Sequence, residues 1–404
     1  MHKTRTDLID NYEHLRCTET KAIKGVVIQD EISFITKWLK DPYIRSYQNI
    51  QLCPPPMVAH EDCFNSWEGF EFDKPESNPN SEAVHLLIYF IETLFKKREY
   101  STYVLNWIAD LIQRPGIKPS GAALLLYSKE EGTGKNTFTT LLEKLVGTKY
   151  SYSTSDPARD LYGEFNDLRV DRLAIVVDEA DATTSFANND KMKSMLTEKK
   201  FTANPKGQKR FETQDLSRYV FTTNNSNSVK ITDESRRFSI FEVSDKFVKD
   251  RDSSLFDRIY ETLEDDSCMA DIFAYFKTYP ITLNIVKDKP ITDMHNWMKK
   301  QNIPLIKKFL SHYIHESVGG EFFGLEIIER KRTELYNAYN KWLLDNKFKE
   351  VSSKAFDEEM RPISDPTSNG KVTGIDRPEK KKNNAVYFIL TVDENLMKTI
   401  EEWN

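Results

Sequence analysis

Apolar positions recur at helical spacing through residues 82–114. Val84, Leu87, Ile88, Ile91 and Leu94 make one stripe, and Tyr103, Leu105, Trp107, Ile108 and Leu111 make a second. That period predicts two helices packed against each other. Ser81 follows the loop-like Ser77-Asn78-Pro79-Asn80 and is placed to cap the first helix, while Arg114-Pro115-Gly116 ends the second. From residue 121 the period changes. Ala122–Tyr127, Leu173–Val177 and Tyr219–Thr223 are short continuous apolar runs, as expected of strands buried on both faces. Helical or loop segments separate the three, and the alternation predicts an α/β layer with a largely parallel sheet.

The flanks are less regular. A helical pattern over Ile32–Lys40 gives way to Cys53-Pro54-Pro55-Pro56, through which no helix continues. After about residue 280 the chain turns helical again. Residues 331–346 are amphipathic and Ala385–Val392 is strand-like; the segment resembles a winged helix, which implies a second helix over Ser352–Met360 and wing strands at Lys371–Thr373 and Val386–Thr391, with Lys380–Lys382 between them. A chain of 404 residues exceeds one ordinary core. We divide it into a linker and N-terminal segment (1–80), a helical domain (81–118), an α/β core (119–280) and a C-terminal helical domain (281–404).

Composition changes this picture little. Charged residues at 30% and hydrophobic residues at 39% are ordinary for a soluble protein. No apolar run approaches the ~18–20 residues of a membrane span, and Met1–Asp10 has no signal-peptide core, so a soluble, cytoplasmic protein is expected. Cys17, Cys53, Cys63 and Cys268 lack zinc-site spacing and read as reduced structural residues. A net charge of −6 argues against a DNA-coating protein but permits a grip through a few basic loops.

Chemistry concentrates in four places. Gly132-Thr133-Gly134-Lys135-Asn136-Thr137 follows a predicted buried strand and opens a predicted helix. Glycines let backbone N–H groups turn toward a phosphate, the helix N-terminus adds positive charge, and Lys135 can reach the β- and γ-phosphates. Lys129 stands in the slot of the first glycine of a phosphate loop, and Asn136 in the Ser/Thr slot, so Mg²⁺ contact falls to Asn136 or Thr137. A plain Gly-rich turn before a helix fits the same residues. Asp178 and Glu179 end the second apolar run, where the first can hold Mg²⁺ and the second orient water; tandem acids also end ordinary strands. Asn224 ends the third run, placed to touch a γ-phosphate or to serve as a turn residue. Arg236 and Arg237 follow Asp233-Glu234-Ser235, as an arginine supplied to a neighbouring subunit's nucleotide or as a surface pair bridged to those acids.

Residues 198–212 form a basic stretch with Lys206-Gly207 at a predicted hairpin tip, Lys209 and Arg210 beside it, and Phe201 and Phe211 flanking it. Cations track phosphates and aromatics stack bases, although core phenylalanines under an exposed hairpin fit equally.

Taken together, residues 132–137, Asp178-Glu179, the basic loop, Asn224 and Arg236-Arg237 resemble a superfamily 3 helicase of the AAA+ class. More narrowly, Phe64–Phe70, Tyr103–Ala109 and Gly132–Phe138 are similar to the helicase part of phage and poxvirus-type primase-helicases, including phage primase-polymerase fusions. The resemblance covers roughly 60–390. It implies a hexameric ring, ATP and Mg²⁺ at subunit interfaces, single-stranded DNA in the pore with Lys206 and Lys209 on its backbone, and a C-terminal winged-helix-like domain with Lys380–Lys382 at the wing tip. It also implies that the chain is part of a larger replication protein linked to a primase-polymerase, in a bacterial host cytoplasm. The function expected is an ATP-dependent DNA helicase. The departures at Lys129 and Asn136 keep open a nucleotide-binding ring clamp with little motor activity.

Overall fold

The computed structural model describes residues 5–23, 26–178, 189–207, 209–225, 237–250, 253–301, 303–319, 324–368, 370–380 and 386–403. The chain divides into two compact units, Met1–Glu68 and Gly69–Asn404.

In the first unit, helix α1 (Arg5–Tyr12) precedes an antiparallel pair, β1 (Arg16–Ile23) and β2 (Val26–Ser33), and helix α2 (Phe34–Trp38) follows. The helix predicted over Ile32–Lys40 is therefore shorter. Ile32 pairs with Cys17 in the sheet, and the Ser33 side chain caps the helix by accepting from Thr36 N–H at 3.5 Å. Strands β3 (Asn49–Gln51) and β4 (Cys63–Asn65) pair in parallel. The Asn65 carboxamide clamps the Cys53 backbone, accepting its N–H and donating to its carbonyl, both at 2.9 Å.

The second unit is α/β. Helices α3 (Glu82–Leu94) and α4 (Arg98–Gln113) form where the two stripes predict them, and Ser81 caps α3 by accepting from Val84 N–H at 3.4 Å. Strands β5 (Ala123–Tyr127), β6 (Ser151–Thr154), β7 (Ala174–Val177), β10 (Arg218–Thr223) and β11 (Phe238–Glu242) make one parallel sheet in the order β11-β5-β10-β7-β6. Three of these strands coincide with the apolar runs. The edge strand β6 is Ser-Tyr-Ser-Thr, which carries no apolar signature, and β11 lies directly behind the arginine pair. The core of the sheet is fully buried around Leu124, Leu125, Ile175, Tyr219, Phe221 and Ile240.

Helix α4 is tied to the sheet through polar atoms. Trp107 Nε1 donates to the Ala122 carbonyl at 2.7 Å, Tyr103 accepts from Ser239 Oγ at 2.8 Å and donates to the Ile285 carbonyl at 2.7 Å, and Asn106 Oδ1 accepts from Thr282 N–H at 2.8 Å. Burial pushes the Tyr103 phenol well above the ordinary tyrosine range. The polar members of the Tyr103–Ala109 motif thus serve packing.

Parallel strands place all their amino ends at one edge, and buried ions gather there. Arg218, fully buried, donates to Asp110 at 2.6 Å. Asp215 receives Arg169 at 2.6 Å, Lys118 at 2.8 Å and the Tyr219 hydroxyl at 3.1 Å. This second cluster roots the antiparallel hairpin β8 (Lys200–Ala203) and β9 (Phe211–Gln214). Asp215 N–H donates to the Lys199 carbonyl at 2.8 Å, and the Arg169 guanidinium lies 4.1 Å from the centre of the Phe201 ring.

Between β7 and the hairpin the described helix is α7 (Asn189–Thr197); a short helix, α6 (Pro157–Asp160), precedes β7. After the sheet come α8 (Lys246–Asp250), α9 (Ser253–Glu264), α10 (Asp266–Thr278) and α11 (Asp293–Gln301), and α10 packs on α3 and α4. The chain ends in a separate core. A three-stranded antiparallel sheet, β12 (Glu326–Lys331), β14 (Val386–Val392) and β13 (Ile375–Lys380), is covered by α12 (Leu305–Val318), α13 (Arg332–Asp345), α14 (Ser353–Ser364) and α15 (Glu394–Glu401) around Phe309, Leu335, Tyr339, Phe356 and Leu390. The strand predicted at Lys371–Thr373 begins instead at Ile375. Gly374 turns the chain with φ +89° and its carbonyl accepts Thr391 N–H, so pairing starts only beyond it. Lys381 and Lys382 lie outside the described residues. Among the described residues no helix is long and apolar enough to cross a membrane.

Candidate functional site

The carboxyl edge of the parallel sheet opens into a cleft of about 430 Å³. Strand β5 delivers residues 128–134 into it, and α5 (Lys135–Val146) starts there. Gly132 and Gly134 both take positive φ, +69° and +98°, which lets the chain fold back between strand and helix. Gly134 is the N-cap of α5 and offers no side-chain cap, so first-turn N–H groups stay available to an anion. A Cβ built on Gly134 would stand 3.0 Å from Phe90 Cε2. Gly134→Ala is therefore expected to cost about 1–3 kcal/mol, since left-handed backbone alone costs an L-residue about 1–2 kcal/mol. Thermal melting of the variant within a degree of the parent would contradict this.

Lys135 is buried, and its ammonium sits at a junction of two strands. It donates to Asn224 Oδ1 at 2.6 Å and to Ser128 Oγ. Ser128, itself buried, donates to the Glu130 carbonyl at 2.7 Å and accepts from Thr133 Oγ1 at 3.2 Å. The lysine of the loop, the residue ending β5 and the residue ending β10 thus meet in one polar cluster. Asp178 follows β7 into the same cleft, and its Oδ1 accepts from the Thr222 hydroxyl. Beneath it on α5, burial raises the Glu143 pKa, opposed by a hydrogen bond with Ser153 and reinforced by the charge of Asp178. Asn136 and Thr137 both line the cleft. Asn136 is exposed, whereas Thr137 is buried with its hydroxyl 3.0 Å from that of Tyr260 on α9. Thr137 and Asp178 are hard oxygen donors, the set that suits Mg²⁺ held mainly by phosphate and water.

Glu179 and Arg236 lie outside the described residues. Arg237 is placed at the other edge of the sheet. Its carbonyl accepts Ala123 N–H at 3.0 Å, at the amino end of β5. At about 3.3 Å per residue, a strand length of about 16 Å separates it from the loop of its own chain. Its Nε is buried and has no hydrogen-bond partner among the described residues.

The basic hairpin carries Lys206, Lys209 and Arg210 exposed at its tip, with Gly207 at φ +76° making the turn. Arg210 Nε donates to Asn204 Oδ1 at 3.1 Å, and Asn204 is held by Asn166. Phe201 is buried under Arg169 and packs the root, while Phe211 is exposed. Sequence reasoning does not single out Thr222, Phe256 and Tyr260, which line the cleft, or Ser128, which holds Lys135. Ser128, just before the loop, was the one with a local signal.

Comparison with known proteins fits this arrangement. Residues 126–237, which run from the end of β5 to Arg237, match a family of unknown function, DUF5906. The chain is similar to the DNA primase-polymerase of Nitratiruptor phage NrS-1, 26% identical over 141 residues; the match takes in 34% of this chain and 19% of that protein. Two apo structures of the NrS-1 C-terminal region share its fold, with TM-scores of 0.63 and 0.61 at 14% and 15% identity, over 90% of this chain and 92% of theirs. The expected likeness to the C-terminal part of a phage primase-polymerase is borne out, and the α/β fold with it.

Proposed function

We propose that the chain is an ATP-hydrolysing subunit of a DNA-translocating ring, an AAA+ superfamily 3 motor acting beside a linked or partner primase-polymerase in phage DNA replication. The observation that carries this reading is the meeting of Lys135 and Asn224 in one cleft with Asp178 and the glycine turn, Ser128 holding the lysine, while Arg237 stands a strand length away at the opposite edge. A cation at that distance serves a neighbour's nucleotide, so the site is complete only where two copies meet.

The roles follow from position. Backbone N–H groups of residues 132–137 and the Lys135 ammonium bind the β- and γ-phosphates, which draws Lys135 away from Ser128 and frees Asn224 to hold the γ-phosphate or its attacking water. Glu179, next to Asp178, orients that water. Mg²⁺ would be held by Thr137, with Asn136 as the alternative, and by Asp178 through water, and when bound it neutralises charge on the phosphates. Arg237 or Arg236 of the neighbour steadies the transition state. Lys206, Lys209 and Arg210 face single-stranded DNA in the pore. The C-terminal core reads as winged-helix-like, with α13 and α14 as its helices and β13–β14 as the wing. In α14, Asp357 is already paired with Arg332 at 2.6 Å and Glu359 with the Tyr339 hydroxyl at 2.7 Å.

The test is DNA-stimulated ATP hydrolysis measured together with native mass. Hydrolysis that rises with single-stranded DNA in an assembly heavier than one chain is expected. Exposed Lys129 and Asn136, where a phosphate loop has glycine and a hydroxyl, favour the second reading, a nucleotide-binding clamp. Turnover at background in intact, DNA-bound rings would select it. For the hairpin, Lys206→Ala with Lys209→Ala is expected to flatten the salt dependence of single-strand binding, by about 0.7 per lost phosphate contact. An unchanged slope would remove the hairpin from the DNA path.

A further inference from the structure

The cleft that holds the phosphate loop also has two rings in its lining, Phe256 and Tyr260, the only aromatic residues among those described as lining it. They stand four residues apart on α9 and so share one face of that helix. Phe256 is fixed by edge contacts with Phe247 (5.2 Å, 68°) and Phe90 (6.4 Å, 73°), and Phe90 is the ring beside Gly134. Tyr260 is 43% exposed, so its ring is accessible to a ligand in the cleft. Its hydroxyl, 3.0 Å from the buried Thr137 hydroxyl, pins it to the first turn of α5.

We propose that Phe256 and Tyr260 form the nucleoside end of the cleft, an aromatic wall that receives the base of a bound nucleoside triphosphate. This rests on the reading of the cleft as a nucleotide site. With phosphates anchored on Lys135 and the loop, the two rings are the aromatic surface of the same cleft that the attached base can reach. Every base has a π-face, and stacking on aromatic side chains is tolerant of base identity. The Tyr260 hydroxyl is engaged with Thr137, so the wall holds a base by its face and not by its edge. ATP and GTP are therefore expected to bind within a few-fold of each other, and both about tenfold or more tighter than tripolyphosphate, the increment of one base stacked on a ring.

The test is calorimetric titration of the 404-residue chain with ATP, GTP and tripolyphosphate in the presence of magnesium chloride. Tyr260→Ala is expected to erase most of the tenfold preference for ATP while leaving tripolyphosphate affinity in place. Tyr260→Phe, which keeps the ring and loses the Thr137 contact, is expected to retain the preference. Equal affinity of the parent for ATP and tripolyphosphate, or equal weakening of both by Tyr260→Ala, would overturn the wall. Failure of the parent to bind either ligand is a different outcome, because it would overturn the nucleotide site itself and the wall with it.

Discussion

Lys135→Ala is expected to reduce ATP hydrolysis to background and to weaken ATP binding by about two orders of magnitude or more. Its ammonium is the one buried cation among the described residues of the cleft, held between Ser128 and Asn224. Removing one preorganised donor from a developing oxyanion costs about 2.7–4 kcal/mol, and truncating one member of a buried charged contact costs about 2–5 kcal/mol. The fold should tolerate the change, because Ser128 Oγ stands 3.3 Å from Asn224 Oδ1 and can turn its proton from the Glu130 carbonyl to that oxygen once the ammonium is gone. A second variant separates binding from assembly. Arg237→Ala is expected to lose hydrolysis while keeping ATP affinity, since its backbone sits at the amino end of β5, a strand length from its own cleft. Mixing the two inactive proteins should restore part of the activity, as some interfaces then combine an intact loop with an intact arginine. Full hydrolysis by Arg237→Ala in an assembled ring would remove that arginine from catalysis. Absence of any rescue on mixing would argue against a site shared between copies.

Asp215→Ala is expected to destabilise the second unit by about 3–5 kcal/mol, the usual cost of leaving buried charge uncompensated. The lost carboxylate is fully buried and takes Arg169, Lys118 and the Tyr219 hydroxyl, so two cations would remain with no counter-charge. Burial opposes ionisation of Asp215, but Lys118 and Arg169 outweigh it and hold the carboxyl below its ordinary range. A depressed carboxyl contributes stability that is complete above the unfolded value of about 3.9 and fades as pH falls through the lower folded value. The gap between parent and variant should therefore be constant from neutral pH down to about 4–5 and narrow only below it. Denaturant titrations at several pH values read this directly, and a gap under about 1 kcal/mol at neutral pH would mean that the cluster is not dry. Because the Asp215 carboxylate holds Arg169, and Arg169 covers Phe201 at the hairpin root, the hairpin should loosen in the variant, seen as faster proteolysis near Lys206.

The local elements were legible in the chain wherever one interaction range decided them. The stripes of α3 and α4 are a matter of period, Ser81 caps its helix by a bond three residues away, and a glycine turn between an apolar strand and a helix needs only its own residues. By those signals the sequence determined the α/β layer, three of its five strands and the glycine turn between β5 and α5, and its motifs carried the likeness to a phage primase-polymerase. The polar edge strand β6 had no such signal, because its strand state comes from pairing with β7 and not from its own side chains. Tertiary structure alone decided which residues meet. It joined Lys135 to Asn224 across 89 positions and Thr137 to Tyr260 across 123, and it buried Asp215 between two cations to root the hairpin. It also sent Arg237 to the edge away from its own loop. Those contacts are set by strand order and helix docking, which depend on the whole buried surface and leave no periodic mark on any single segment.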